Sequence, residues 1–406
     1  VKSLSLKIQQ IEESQTIAFT AMARQMRAAG KDVVSLTAGE PDFPTPPHIK
    51  MSAIRAIEED FSHYTASEGI PELLKAVQKK FERDNHLVFD TSELLVSCGA
   101  KHSVYNALQA ICNTGDEVVV AAPYWVSYPE MIKLVGATPV IVDATNDDGS
   151  KISARRLRAA INARTKAFIF NSPNNPTGAV YSQGEIEELG DVVKETGIFV
   201  ISDEIYEKVI YDGVKHFSIG SIRQIRDQVI TVNGLSKAYA MTGWRIGYLG
   251  AAKPVAQAAA KVQSQVTSNA TSIAQRAAVD ALNGPEQDIR MMVAEFKLRR
   301  DFAYDELSKI PGLELSKPKG AFYLFPSVRN FVGRQADGTL LRDDVDLCYH
   351  FLNERQLVMV PGTPFGAKNH VRLSYACSMK ELEKGVHRLK EGFAQLGERR
   401  AVSSER

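Results

Sequence analysis

The chain has 406 residues, 44% hydrophobic and 24% charged, an ordinary globular composition with length enough for a large core and a second, smaller one. Its 49 lysines and arginines nearly cancel 48 aspartates and glutamates, which argues against nucleic acid as a partner. No apolar run approaches the roughly 20 residues needed to span a membrane, so none is expected as a partner.

Val1 to Gln10 is amphipathic rather than signal-like, so a cytoplasmic protein is expected. Residues 14–29 read as a helix, with Ile17, Met22 and Met26 at rough helical spacing and Gly30 as a stop. The Gly/Pro-rich stretch Leu36 to Pro47 is read as loop. From about Glu93, short apolar runs alternate with helical stretches. The runs are Leu94–Ser97, Glu117–Ala121, Pro139–Val142, Ala167–Phe170, Ile198–Ile201, Val229–Val232 and Ile246–Gly250. Ser182 and Glu185 have the spacing of a capping box opening one of the intervening helices. This alternation predicts an α/β fold with a mostly parallel sheet covered by helices on both faces. In such sheets ligands bind beyond the carboxyl ends of the strands, and the motifs below are read as following these runs. After Pro285 a long charged helix leads to a segment with fewer strands and a closing helix near residues 379–396. The expected division is a large domain over 46–290 and a smaller α+β domain over 291–397. Residues 1–45 would complete the smaller one, leaving a tail at 398–406 whose end, Ala401–Arg406, is polar and expected to be disordered.

The four cysteines, Cys98, Cys112, Cys348 and Cys377, form no C-x-x-C pair and are read as buried free thiols of a reducing compartment. The eight histidines contain no H-x-x-x-H or H-E-x-x-H arrangement, so no metal is expected.

Four stretches carry chemistry. In Asn233-Gly234-Leu235-Ser236-Lys237-Ala238-Tyr239, a lysine in a loop after a buried strand could form a Schiff base with an aldehyde cofactor. Arg245, shortly after, could hold a phosphate on that cofactor. A solvated lysine and an ion-paired arginine would satisfy the same residues. Asp203, in Ser202-Asp203-Glu204-Ile205-Tyr206, closes a buried strand and needs a cationic partner, such as a protonated pyridine nitrogen. Tyr206 would then bond the phenolic oxygen of the same ring; a helix-capping carboxylate is the plainer alternative. Asn175, in Asn171-Ser172-Pro173-Asn174-Asn175-Pro176-Thr177-Gly178, could bond that oxygen and a substrate carboxylate, or simply belong to a turn. The turn Cys98-Gly99-Ala100-Lys101-His102 offers free backbone N–H groups at a helix start, which suit phosphate, though such turns are common.

Taken together and in this order, S-P-N-N-P-T-G, D-E-I-Y, S-K-A-Y-A-M-T-G-W-R and V-R-L-S-Y closely resemble the class I, aspartate-type aminotransferases of pyridoxal-phosphate (PLP) fold type I. The match runs from about Ser14 to Gly397. Gly39–Phe43 (G-E-P-D-F) and Pro123–Tyr128 (P-Y-W-V-S-Y) look like the branch of bacterial and plastid aspartate/prephenate aminotransferases. The resemblance implies that Lys237 carries the cofactor aldehyde and then moves the proton between substrate and cofactor, with Asp203, Tyr206, Asn175 and Arg245 in the roles above. It implies that Ser236, Gly99, Ala100 and Lys101 hold the phosphate and that Trp125 stacks on the ring. Arg372 would bind the substrate α-carboxylate beside the Gly39 backbone. Tyr64 would reach the cofactor phosphate of a neighbouring copy, which implies a homodimer with shared active sites.

The resemblance also bears on substrates, expected to be amino acids and 2-oxo acids. Between Gln263 and Ser272 there is no arginine to meet a distal carboxylate, and in this branch Lys101 with Ser14 and Thr16 takes that part. The expected reaction is transamination between L-aspartate and 2-oxoglutarate, giving oxaloacetate and L-glutamate, with prephenate to arogenate as a further activity. Glu12, where prephenate-using members often carry Lys, Arg or Gln, counts against prephenate. The rivals are an aromatic or broad-specificity aminotransferase, a PLP β-lyase on the same fold, and a non-catalytic PLP-binding regulator. The regulator is disfavoured because the residues before Leu36 are too few and too neutral for a DNA-binding module. A Rossmann dehydrogenase is disfavoured by the lack of G-x-G-x-x-G after a strand.

Overall fold

The computed structural model describes residues 4–12, 15–145, 148–336 and 338–396; Ser14 and the tail 398–406 lie outside them. The seven apolar runs form seven strands: β1 (Leu94–Ser97), β2 (Glu117–Ala122), β3 (Thr138–Asp143), β4 (Thr165–Asn171), β5 (Phe199–Asp203), β6 (Val229–Gly234) and β7 (Gly247–Gly250). They make one sheet in the order β1-β7-β6-β5-β4-β2-β3. Val119, Phe168, Phe170 and Val200 pack on one face against Ile186, Leu189 and Val193 of the helix Gln183–Thr196. Their neighbours Val118, Val120, Ile169 and Ile201 pack on the other, against Val104 and Leu108 of the helix Ala100–Ile111. Along every strand but the edge strand β3, which is partly exposed, both faces are largely buried, so the run is apolar throughout rather than alternating. Each buried side chain contributes roughly 1.5–3 kcal/mol on leaving water. The helix Gln183–Thr196 opens with the expected capping box. Ser182 N–H donates to the Glu185 carboxylate at 2.7 Å and Glu185 N–H to Ser182 Oγ at 3.4 Å.

Strand direction decides where the motifs meet. The neighbours β3–β2, β2–β4, β4–β5 and β5–β6 run parallel, whereas β7 is antiparallel to both β1 and β6. The carboxyl ends of the other six strands and the amino end of β7 therefore share one edge of the sheet. Arg245 comes before β7 in the chain, so the expectation that every motif follows a run fails for it. Reversal of β7 nonetheless delivers Arg245 to the same edge.

A second core lies beside this sheet. Val34–Ser35 pairs in parallel with Leu357–Val358. Phe19 and Ala23, from the helix Gln15–Ala28, and Val34 and Leu36 share a cluster with Phe296, Phe322, Phe351 and Leu389. Three short antiparallel strands, β8 (Tyr323–Leu324), β9 (Val360–Pro361) and β10 (Val371–Ser374), lie in the order β9-β10-β8 within it. The long helices Gln287–Leu307 and Met379–Ala394 pack against one another there. Ile205, Tyr206 and Val209, just past β5, belong to the same cluster and tie it to the sheet. The loop from Leu36 ends one residue earlier than read, because Pro47 opens a helix at the position where a missing N–H costs nothing. Of the four thiols only Cys348 is fully buried. Cys98 and Cys377 lie in loops and Cys112 at a helix end, where the chain leaves the packed layers, so these three are half-buried.

Gly247 in β7 sits directly against the turn after β1: a Cβ there would lie 2.1 Å from Ala100 N and 2.3 Å from the Gly99 carbonyl carbon. Both contacts are to backbone, so Gly247→Ala should destabilise the chain by about 1–3 kcal/mol or more through overpacking. Urea unfolding followed by circular dichroism checks this; an unchanged midpoint would contradict it.

Candidate active site

At the shared sheet edge a cavity of about 330 Å³ opens between the two cores. Eleven of the residues singled out from the sequence line it: Gly39, Ala100, Lys101, Trp125, Asn175, Asp203, Tyr206, Ser236, Lys237, Arg245 and Arg372. Six of the seven strands of the large sheet supply a part, all but the edge strand β3. The turn after β1 gives Ala100 and Lys101, that after β2 gives Trp125, and those after β4, β5 and β6 give Asn175, Tyr206 and Lys237, with Asp203 the last residue of β5. Arg372 comes from β10 in the second core.

Asp203 is 4% exposed. Its carboxylate accepts the Tyr128 hydroxyl at 2.7 Å and Ile205 N–H at 3.3 Å. Among the described residues no cationic side chain pairs with it. Burial, reinforced by neighbouring Glu204, pushes its carboxyl up to about 6. A buried carboxylate facing a cavity with no positive partner is costly unless a ligand brings the charge. Arg372 is its mirror image, 2% exposed and with no acid beside it among the described residues. Its Nη1 donates to Asn175 Oδ1 at 3.1 Å and its Nη2 to the Thr37 carbonyl at 3.0 Å, while its buried Nε has no partner. The guanidinium lies 4.5 Å from the centre of the Tyr323 ring and 5.0 Å from that of Phe365. Such a fork suits a ligand carboxylate.

Lys237 is half-buried, and its ammonium donates to the Gly39 carbonyl at 2.5 Å. Burial, helped by the positive charges of Arg372 and Arg245, lowers its pKa to about 8. A lysine in that state is part-neutral at physiological pH and can act as nucleophile or base. The Tyr206 hydroxyl meets that of Tyr323 at 2.8 Å.

An anion cradle occupies the remaining end. Gly99 adopts φ 88° as the cap of the helix Ala100–Ile111, and no side chain caps that helix start. Arg245, itself left-handed at φ 58°, is held by the carbonyls of Thr242 at 2.9 Å and Cys98 at 3.3 Å. A Cβ on Gly99 would overlap the Arg245 guanidinium, so only glycine lets the two approach. Ser236 is buried beside them, and free N–H groups at a helix start with an arginine make a phosphate site. Trp125 presents its ring to the cavity, with the Lys101 ammonium 4.7 Å from the ring centre.

Tyr64 does not line the cavity of its own chain and is 91% exposed. Ser14, and the side chain of Thr16, lie outside the described residues. Tyr128, Tyr323 and Asn171 also line the cavity but were given no role, although Asn171 opens one of the motifs and Tyr128 closes another. Asn171 donates to the Asp203 carbonyl at 2.9 Å and accepts Asn175 N–H at 3.0 Å, and as the last residue of a buried apolar strand it carried a usable signal. The two tyrosines carried none, since an aromatic residue in an apolar stretch reads as core.

Residues 31–389 match the family model for aminotransferase class I and II. The chain is 43% identical to the aspartate aminotransferase of Geobacillus stearothermophilus, over 95% of this chain and 98% of that protein. It is also 43% identical to the aspartate/prephenate aminotransferase of Cereibacter sphaeroides, over 97% of this chain and 99% of that one. The solved structure of the Thermus thermophilus aspartate aminotransferase with maleate is similar at a TM-score of 0.91 and 41% identity, covering 97% of this chain and 100% of that one.

In the cofactor-free chain, the rate at which Lys237 is modified by formaldehyde and borohydride should rise with pH, half-maximal near pH 8, because only the neutral amine reacts. Peptide mass spectrometry reads this out. A midpoint near the ordinary lysine value of 10.5 would show that the cavity does not hold the amine in this state.

Proposed function

The chain belongs to the class I and II aminotransferases, and on that premise we propose that it exchanges amino groups between L-aspartate and 2-oxoglutarate, forming oxaloacetate and L-glutamate. The cofactor is pyridoxal 5'-phosphate, as throughout this family. When bound, it supplies an aldehyde for the substrate amine and a ring that takes up electrons released at the substrate α-carbon. The residues present suit it. The observation that carries the reading is a single cavity holding a buried carboxylate and a buried guanidinium, each without a charged partner among the described residues, together with a lysine whose pKa is lowered to about 8.

In this reading Asp203 holds the proton on the ring nitrogen, with Tyr128 fixing the carboxylate, and Tyr206 donates to the phenolic oxygen. The backbone of the turn Gly99, Ala100 and Lys101, with Ser236 and Arg245, would hold the phosphate, and Trp125 would cover the ring face. Lys237 would bond the cofactor aldehyde in the absence of substrate, and when displaced by the substrate amine its Nζ would be placed to move the proton at the substrate α-carbon. Arg372 and Asn175 clamp the α-carboxylate beside the Gly39 backbone, which fixes the bond that ionises relative to the ring. Lys101, with Ser14 and Thr16, meets the distal carboxylate. The dicarboxylate maleate named with the similar Thermus enzyme supports this preference. Prephenate is the second reading, favoured by the name of the Cereibacter relative and opposed by Glu12. With glutamate as donor, a competition between oxaloacetate and prephenate ranks the two.

We propose further that the chain divides at about residues 45 and 290, as its two cores suggest, and that it works in the cytoplasm as a homodimer. No helix among the described residues is long and apolar enough to cross a membrane. The exposure of Tyr64, an aromatic residue with its ring almost wholly in water, fits a role in a partner's site.

Two experiments test these assignments. Arg372→Ala should lower kcat/KM for every amino acid by about 10²–10³-fold, the scale of losing one partner of a buried charge pair. Lys101→Ala should depress aspartate and spare alanine; equal losses for both substrates would refute the split. For the dimer, a Tyr64→Phe chain mixed with a Lys237→Ala chain should regain one intact site per mixed dimer. Given an impaired Tyr64→Phe parent and confirmed exchange, activity at the average of the two parents would rule out shared sites.

A further inference from the structure

Asp203, Ile205 and Tyr206 line the cavity, but the residues between and after them turn away from it. Glu204 is 1% exposed and Glu207 6%, and both meet the helix Pro71–Asn85. One Glu204 oxygen accepts the hydroxyls of Ser202 at 2.9 Å and Ser218 at 2.7 Å. The other meets Asn85 Nδ2 at 3.0 Å and His216 Nε2 at 2.9 Å. Glu207 accepts from Asn85 at 2.7 Å and pairs with Lys80, whose ammonium also bonds Asn85 Oδ1 at 2.5 Å.

Ligand atoms of Glu204, Glu207 and His216 all lie within 4.8 Å of one another, but the Lys80 ammonium already supplies a cation there. The charge count is the informative part. Two buried carboxylates face one buried ammonium, so the cluster is neutral only when His216 is an imidazolium. Burial alone would lower the His216 pKa, yet the carboxylates of Glu204 and Glu207 outweigh it and Lys80 and raise it. Glu204 adjoins Asp203 in the chain, and any unbalanced negative charge on it opposes ionisation of Asp203.

We propose that His216 is a positioning residue acting through Glu204: as an imidazolium it balances that carboxylate, so that Asp203 stays ionised for a cation in the cavity. Glu204, Glu207 and Lys80 are the charged groups facing it, from the turn after β5 and from the helix Pro71–Asn85. The inference rests on the reading that Asp203 pairs with the ring nitrogen of pyridoxal phosphate.

The test compares the affinity of cofactor-free protein for pyridoxal phosphate with that for its 1-deaza analogue, which lacks the ring nitrogen, as a function of pH. His216→Gln keeps a hydrogen-bond donor for Glu204 and removes the charge. Below the pH at which Asp203 ionises, it should weaken pyridoxal phosphate about tenfold more than the analogue, a difference that vanishes well above that pH. It should also move the pH below which the affinity for pyridoxal phosphate falls upward by about one unit, the two being the same shift in Asp203. The double variant Glu204→Gln/His216→Gln removes both charges and should restore the parental preference, and it remains informative if the single variant folds poorly. Equal weakening of both ligands by His216→Gln, or a double variant without restoration, would overturn the proposal. Asp203→Asn separates this from the underlying reading. If it leaves the preference unchanged, the pairing of Asp203 with the ring nitrogen has failed. If it abolishes the preference while His216→Gln does not alter it, only the role of His216 has failed.

Discussion

Two charges of opposite sign, neither with a charged protein partner among the described residues, are held out of water in one cavity. Isolating either group in this way costs several kcal/mol, and the rest of the chain has to supply that stability. Asp203 is carried on a strand buried on both faces and Arg372 on a strand of the second core, so each sits on a rigid element. Each is also oriented by neutral donors or acceptors alone: Tyr128 and the Ile205 N–H for the acid, Asn175 and the Thr37 carbonyl for the base. Neutral partners fix geometry without cancelling charge, which leaves the charge to attract a ligand.

The same constraint explains why the site lies at one sheet edge. Parallel strands bring their carboxyl ends together, and the reversed β7 adds Arg245 from its amino end. Close approach of these turns demands small residues where backbones meet. Gly99 accommodates the Arg245 guanidinium and Gly247 accommodates the Gly99–Ala100 backbone. A phosphate cradle made this way depends on the sheet register, so local loop chemistry and global topology support one another.

Much of this was legible in the sequence. All seven strands of the large sheet appear as apolar runs, six of them because burial on both faces removes the polar alternation, whereas the edge strand β3 is partly exposed. The helix after Ser182 was announced by its own capping residues, a purely local signal. The direction of β7 was not legible, since it depends on pairing with β1 and β6 rather than on its own residues. Nor were the hydroxyl partners of the acid and of Tyr206, because Tyr128 and Tyr323 reach them across 75 and 117 residues of chain. Lys80 reads as one of two adjacent lysines on a surface helix, yet it is 2% exposed and paired with Glu207. Only the three-dimensional contact reveals that pair. Tyr64 was singled out by family resemblance alone, and nothing in its own chain's cavity would have drawn attention to it.

The polar tips that face the cavity divide into two kinds, with a consequence for selectivity. The Lys237 ammonium already has the Gly39 carbonyl, and the Tyr206 hydroxyl has that of Tyr323. A ligand that engages these groups trades one hydrogen bond for another, an exchange with little net gain. At the Asp203 carboxylate and the Arg372 guanidinium no ion pair among the described residues competes, so a charged ligand group there gains an attraction that the chain itself does not satisfy. Together with Arg245 in the anion cradle, which is likewise held by carbonyls, these charged groups are where discrimination is concentrated. A molecule of the right shape but lacking one of these charges would make most of the same contacts and still be bound weakly, so the cavity is selective for charge before it is selective for outline.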